Sequence, residues 1–277
     1  MSKKKPNPLV VIPVFIHRED HIQLLTRCLA SLRDPARTSS KVDIVLVDDC
    51  SPYEGKTQIL NALAGQFDCE LVEKEHNTGF SKTANVGLMK AHSRGTAAVL
   101  LNMDVEFSPP GVECKNWLKI AMKDEADLVG AKLLYPTGLI QHGGVYYSLL
   151  HRYLDHLYRF APPTMNDANV RAEVPVTGAL QVIKPQVFDA VGFYDEHFKM
   201  AYEDIDYCLR VMLPPEHGGA GMKVAYNPEV VAVHHESMIR GGQQKYSQWH
   251  DESWVYFQQK YARVPMTGLI PPIDRKR

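Results

Sequence analysis

Leu9-Val-Val-Ile-Pro-Val-Phe-Ile16 decides how this chain is read. Apart from Pro13, every residue in it is apolar. Successive side chains of a strand point to opposite sides, so an unbroken apolar run of this length suits a strand covered on both faces. Similar short runs return at Ile44–Val47 and Ala97–Leu101, and Cys69-Glu-Leu-Val72 is a further strand candidate. Between them lie helical patterns. Ile22, Leu25, Leu29 and Leu32 recur at helical spacing behind Asp20 as a cap; Lys56–Leu63 reads as a helix; Ser81 caps a third, with Ala84, Leu88 and Ala91 on one face. Strands alternating with helices predict an α/β fold with a doubly wound, mostly parallel sheet. In such sheets ligands bind beyond the carboxyl ends of the strands.

The second half is less regular. Leu128–Leu134 and Val174–Ile183 read as strands, the latter interrupted by Gly178, and Val224–Tyr226 and Val230–His234 as two short ones. Glu203–Met212 reads as a helix, and residues 141–163, rich in His, Tyr and Pro, have no clean period. There is no repeat and no linker. The pattern predicts a single domain over residues 1–263, with a nucleotide-binding half at about 9–105, an irregular acceptor and catalytic half at about 106–240, and a peripheral tail at 264–277.

Composition narrows the function classes. The 277 residues carry 31 Lys+Arg against 32 Asp+Glu, a formal net charge of −1, which argues against a general polyanion binder. No basic patch interleaved with aromatics signals nucleic acid. With 45% hydrophobic and 23% charged residues the chain reads as globular, and no 18-residue apolar run offers a membrane span. Cys28, Cys50, Cys69, Cys114 and Cys208 are odd in number, scattered and without a C-x-x-C, which disfavours a disulfide framework or structural zinc and fits a cytoplasmic setting. Lys3–Lys5 read as a solvated tail, with peripheral membrane contact as the other use.

Polar groups at strand ends carry the chemistry. The second strand ends in Asp48-Asp49 and the fourth in Asn102-Met-Asp104. Asp and Asn also serve as turn and cap residues, but two such sites in one sheet favour a ligand. Asn102 and Asp104 can share a hard cation, Mg²⁺ or Mn²⁺, with substrate phosphates completing its shell. Neither G-x-G-x-x-G nor G-x-x-x-x-G-K-[ST] is present. Glu203-Asp-Ile-Asp-Tyr-Cys-Leu-Arg210 gathers three acids at a helix start. Asp206 is accounted for by an i,i+4 pair with Arg210, whereas Glu203 and Asp204 follow an aromatic stretch and suit a general base. His234-His235 ends a buried strand, and Asn77–Asn85 turns into a helix whose N-terminus suits an anion or nucleotide.

Together these segments resemble the family 2 inverting glycosyltransferases of GT-A fold, above all bacterial rhamnosyltransferase-like and O-antigen-type members. The likeness runs in order over about residues 9–240. It comprises Val11-Ile-Pro-Val-Phe15, Val47-Asp-Asp-Cys-Ser51, Asn77-Thr-Gly-Phe80 with Asn85-Val-Gly87, and Leu101-Asn-Met-Asp104 in place of D-x-D. Lys132–Gly138 with Ile140-Gln-His-Gly-Gly144, Val176-Thr-Gly-Ala179, Gly192–Glu196, Tyr202–Arg210 and Val233-His-His-Glu-Ser237 complete it.

The resemblance implies a metal-dependent transfer of a hexosyl or deoxyhexosyl unit from a UDP-, dTDP- or GDP-sugar to an acceptor hydroxyl. Asp49, with Asp48 beside it, would contact the nucleotide, helped by Pro13, Phe15, Asn77, Gly79, Asn85 and Asn102. Asp104 would bind Mn²⁺ or Mg²⁺ with His234 (or His235) as a further ligand. Asp204 would be the base, and Gly178 and Glu203 would line the donor and acceptor pocket. The first acid of D-x-D is Asn102 here, which brings an amide oxygen but no charge. Two other readings compete: a sugar-nucleotide pyrophosphorylase, which needs a glycine-rich basic loop where Pro13–Glu19 stands, and a non-catalytic nucleotide-sugar module, against which Asp104 and Asp204 argue.

Overall fold

The computed structural model describes residues 6–108, 114–148, 153–235 and 244–264. The first elements are β1 (Leu9–Val14), α1 (Glu19–Arg33), β2 (Asp43–Asp48), α2 (Lys56–Gln66), β3 (Glu70–Glu73), α3 (Phe80–Ser93) and β4 (Ala98–Leu101). Then come β5 (Val105–Glu106), α4 (Trp117–Lys123), β6 (Leu128–Leu134), β7 (Ile140–His142), β8 (Val145–Ser148) and β9 (Tyr153–His156). The rest are β10 (Leu180–Ile183), α5 (Pro185–Val191), α6 (Glu203–Met212), β11 (Val224–His234) and α7 (Gln244–Lys260).

The main sheet runs β3-β2-β1-β4-β10-β6-β11-β5, with β7 on β6, and β8 pairs with β9 separately. It is parallel through β3, β2, β1 and β4 and again between β6 and β11; β10 is antiparallel to both its neighbours. Helices cover both faces, as the apolar runs require. Val10, Ile12 and Val14 of β1 pack in one core with Leu25 and Leu29 of α1, while Leu9 and Val11 pack in the other with Ala84 and Leu88 of α3. The chain winds outward from β1 through β2 to β3, then crosses back to β4 on the other side. The crevice at the carboxyl ends of β1 and β4 is therefore the switch point where ligands bind in such sheets. Pairing of β1 with β4 stops at Val11–Leu100, so Pro13, which has no N–H to give, sits where that ladder has already ended.

Several elements depart from their sequence reading for identifiable reasons. Asp20 lies in the first turn of α1 and bonds Arg18 rather than capping, and Ser81 lies inside α3, whose N-cap is Gly79. Of the strand expected over Val174–Ile183 only Leu180–Ile183 forms. The amides of Thr177 and Gly178 are spent instead on His142 and Asp204. The two short strands expected before His234 are one strand, bulged between Asn227 and Val231 where Pro228 cannot donate. The unpatterned 141–163 stretch holds the β8–β9 pair, and α7 was not anticipated. Glu236 and Ser237, Lys3–Lys5 and residues 265–277 of the expected tail lie outside the described residues. Among the described residues no helix is long and apolar enough to cross a membrane.

Candidate active site

A cavity of about 420 Å³ opens at the switch point, and Pro13, Phe15, Asp49, Asn102, Asp104 and Asp204 all line it. Asn77, Gly79, Gly178, Glu203 and His234 line it too, so eleven of the thirteen residues singled out from the sequence meet in one place. The other two do not. Asp48 is fully buried and holds Lys56 at 2.5 Å and the Ser51 hydroxyl, tying the end of β2 to the start of α2. Asn85 donates to Tyr194 O (2.9 Å) and Glu196 Oε1 (3.1 Å) and accepts from Tyr194 N (3.0 Å), clamping α3 to the loop before α6. Both are structural. Neighbours in a strand face opposite ways, which is why Asp49 lines the cavity and Asp48 does not.

At the end of β2, Asp49 accepts the amides of Thr78 (2.9 Å) and Gly79 (3.0 Å) and pairs with Lys74 (2.7 Å). Its carboxylate thus shapes the turn into α3 as well as facing the cavity. Gly79 has no substitute there. Its φ is +92°, and a Cβ would stand 2.6 Å from Lys199 O, with Phe80 N bonded to the same oxygen (2.8 Å). The Asp49–Gly79 turn is thereby fastened to the segment that leads into α6.

Asn102-Met103-Asp104 turns between β4 and β5. Met103 Sδ accepts the Phe15 amide at 3.5 Å, and Asp104 O accepts His235 N at 3.0 Å. Antiparallel pairing sets His234 against Val105, beside Asp104. His234 Nε2 stands 3.3 Å from Asp104 Oδ1, whereas His235 turns to Glu106 at the same distance and holds that carboxyl below the ordinary range against its burial. His234 is therefore the histidine of the pair that faces the cavity. Its Nδ1 lies 2.8 Å from Gln141 Oε1, and Gln141 Nε2 returns a bond to His234 O (3.4 Å). The reciprocal bond sets the amide's orientation. An amide oxygen accepts only, so Nδ1 carries a proton, and in the neutral ring Nε2 is the nitrogen left with a lone pair toward Asp104.

Asn102 Oδ1 and Asp104 Oδ1 are both buried with no hydrogen-bond partner among the described residues. Two oxygens and an imidazole nitrogen fit Mn²⁺ or Mg²⁺. No group of three or more His, Cys, Asp or Glu that can hold a metal occurs among the described residues. The protein's share of such a shell is thus partial, as suits a cation that also takes ligand oxygens.

The third part of the cavity begins where α6 does. Ala201 and Tyr202 have φ of +67° and +65°. Two consecutive left-handed non-glycine residues cost roughly 1–3 kcal/mol each and cluster at functional sites. They start α6 so that Glu203 and Asp204 reach the cavity. Asp204 Oδ2 accepts Gly178 N and Oδ1 accepts Ile205 N, both at 2.8 Å. A Cβ at Gly178 would be 3.1 Å from Asp204 Cβ, so the close approach depends on glycine. Asp206, one turn face away, is fully buried and taken by Arg210 (2.9 Å), Lys260 (2.7 Å) and Tyr261 (2.8 Å).

Among the lining residues that sequence reasoning missed are Gln141, His156, Arg159, Tyr153, Tyr202, Trp249 and His250. The Ile140-Gln-His segment carried a signal without a role. Its histidine supports the cavity from behind. His142 Nε2 accepts Thr177 N (3.3 Å), so its Nδ1 proton points at His156 Nδ1, 2.6 Å away. Burial, then the neighbouring His156, pushes His142 well below the ordinary histidine range and keeps it neutral.

The family model described as Glycosyl transferase family 2 matches residues 9–162, more than half of the chain. Two curated proteins are similar: the uncharacterized protein y4gI of Sinorhizobium fredii, 31% identical over 245 residues (83% of this chain, 25% of that protein), and O-antigen biosynthesis protein RfbC of Myxococcus xanthus, 26% identical over 246 residues (85% and 18%). The chain thus spans a quarter or less of these relatives. Among solved structures it resembles GalNAc-T7 with UDP, GalNAc and Mn²⁺ (TM-score 0.60, 17% identity, 96% of this chain and 52% of that one). It also resembles the mannosyltransferase PcManGT of Pyrobaculum calidifontis with GDP-Man and Mn²⁺ (0.55, 16%, 97% and 66%) and S. aureus TarS with UDP (0.52, 14%, 95% and 74%). At these identities the structures show a common fold, the GT-A-like arrangement. The chain belongs to glycosyl transferase family 2.

Proposed function

We propose that this family 2 chain moves a hexosyl or deoxyhexosyl unit from a nucleoside-diphosphate sugar to an acceptor hydroxyl, inverting the anomeric carbon. The observation that carries the reading is the convergence, in one cavity, of Asp104 from the β4–β5 turn, His234 from the end of β11 and Asp204 from the start of α6. Residues 9–105 bind the nucleotide through the Asp49–Gly79 turn, Pro13, Phe15 and Asn77. Asn102, Asp104 and His234 would hold Mn²⁺ or Mg²⁺. A bound cation of this kind supplies stabilisation of the charge that develops on a departing diphosphate. The relatives of known structure crystallised with UDP or GDP-Man and Mn²⁺ support this donor class.

Asp204 takes the proton of the acceptor hydroxyl, a weak nucleophile that needs a positioned base. Two backbone amides fix its carboxylate, and each oxygen keeps a further lone pair for the hydroxyl. A base across the cavity from the leaving group gives a single displacement with inversion. The same reading places the reaction in the cytoplasm and treats residues 1–263 as one working unit, since α7 is fastened to α6 through Asp206.

A thermal-shift screen of UDP-, dTDP- and GDP-sugars, each with Mn²⁺ and with chelator, tests it. A ligand of the native state raises the midpoint by mass action. One donor class is expected to raise it, and only with the cation. No shift from any nucleotide sugar overturns the reading.

A further inference from the structure

We propose that Tyr202, Trp249 and His250 form an acceptor subsite for a pyranose ring, so that the acceptor is a glycan or glycoside; this rests on Asp204 being the base. The three residues line the cavity together with Met200, Glu203 and Asp204. They are one constructed wall. The Tyr202 ring lies 5.3 Å from His250, with its hydroxyl 3.5 Å from His250 Nε2. Trp254 and Phe257 of α7, which do not line the cavity, brace the same ring at 5.0 and 5.6 Å. Trp249 is held by Lys199, whose ammonium lies 5.7 Å from the indole centroid.

The strained backbone at Ala201 and Tyr202 puts this ring directly before Glu203-Asp204. Whatever rests on the wall therefore lies next to the base. The chemistry of the wall selects the class. A pyranose has an apolar face of C–H groups, which packs on aromatic rings, and an edge of hydroxyls, which bonds to carboxylates and imidazoles. Tyr202 and Trp249 offer the first; Glu203, Asp204 and His250 offer the second. An anionic lipid headgroup or a nucleic acid would meet two acids there; Lys199 is engaged with Trp249 and with Glu252 at 3.7 Å, and Arg159, which lines the same cavity, pairs with Asp155 at 3.5 Å.

Saturation-transfer NMR on the full chain tests the proposal, with methyl α- and β-pyranosides of glucose, galactose, mannose and rhamnose as probes, in the presence of Mn²⁺ and UDP, dTDP or GDP. At least one glycoside is expected to bind, with the strongest transfer on its ring C–H protons. Trp249→Leu is expected to weaken it by about tenfold or more, as for loss of an aromatic anchor, and Trp249→Phe to restore most of it. His250→Ala, on the solvent side of α7, gives a second reading if Trp249→Leu does not fold. Nucleotide affinity, measured on the same samples, is expected to stay unchanged. Glycoside binding to no sample, or binding unaltered in both Trp249→Leu and His250→Ala, overturns the subsite. If nucleotide binding survives that result, only the acceptor assignment falls; if no nucleotide binds either, the donor reading falls with it.

Discussion

The two sides of the cavity are built by opposite means. The β1–β4 side rests on regular parallel strands, and its carboxylates, Asp48 and Asp49, spend most of their bonding on their own loops. The α6–α7 side rests on an irregular extended segment, two left-handed residues and cross-links to a distant helix. On the proposed reading the first side needs only to present a fixed surface to a nucleotide, which regular structure does at low cost. On the same reading the second must aim a base and a sugar-sized wall at one point, and strain is tolerated where the surroundings over-determine it.

Within α6 the comparison can be broken most sharply at Asp206. It lies two residues from Asp204 but faces the protein, between Arg210 and Lys260. Asp206→Asn is expected to cost about 3–5 kcal/mol of stability, the range for breaking a buried ion pair, with donor affinity retained in the folded fraction. Denaturant unfolding checks it, and a stable but inactive variant would move the chemistry to Asp206. Gly79→Ala probes the other side. Strain at φ +92° and the contact with Lys199 O are expected to cost roughly 1–3 kcal/mol, and nucleotide affinity is expected to fall with them, because the turn would shift away from Asp49. Unchanged nucleotide binding would detach that turn from the site.

At the lip between the two sides, Gln141→Leu removes the acceptor that fixes His234's tautomer. Mn²⁺ affinity, read by calorimetry with nucleoside diphosphate present, is expected to drop about 10–100-fold, the usual worth of a residue that orients a metal ligand. Gln141→Glu, which still accepts at Nδ1, is expected to retain most of it.

The smallest effect concerns acid. Burial alone would raise the Asp195 carboxyl, but Lys260, the His197 amide and Tyr256 together bring it down to about 2 from 3.8. A depressed carboxyl contributes its stability above its unfolded value and loses it as pH falls through the folded one. The docking of α7 on residues 195–206 is therefore expected to weaken between about pH 4 and pH 2. Trp fluorescence of Trp249 and Trp254 follows it, and Asp195→Asn is expected to flatten that window.

The sequence made the regular side legible because consecutive apolar runs and helical spacing are local signals. Leu128–Leu134 and Glu203–Met212 form over the same residues the pattern predicts. Asp104, Asp204 and His234 were legible for a related reason: they stand in the turn after a strand, at the start of a helix and at the end of a strand. Asp48 and Asn85 were misplaced because chain proximity says nothing about which face a side chain takes. Gln141 meets His234 across 93 positions, and that pairing depends on sheet register, which no local pattern carries. Trp249 and His250 sit on a helix whose apolar stripe is weak and whose place against α6 is set by long-range contacts, Phe257 and Tyr261 packing with Ile205 and Leu209 and Lys260 pairing with Asp206.

The central claim is that one side binds and the other performs the proton transfer, and Asp204→Asn tests it most directly. Each oxygen of Asp204 accepts a backbone amide, so the variant leaves one donor opposed to an NH₂ group, and donor affinity must be measured on the same folded sample as turnover. Transfer, or release of sugar to water where no acceptor is supplied, is expected to fall about 10²–10⁴-fold, with donor affinity unchanged. A rate close to that of the unaltered protein, or a loss confined to Glu203→Gln made in parallel, would contradict the assignment.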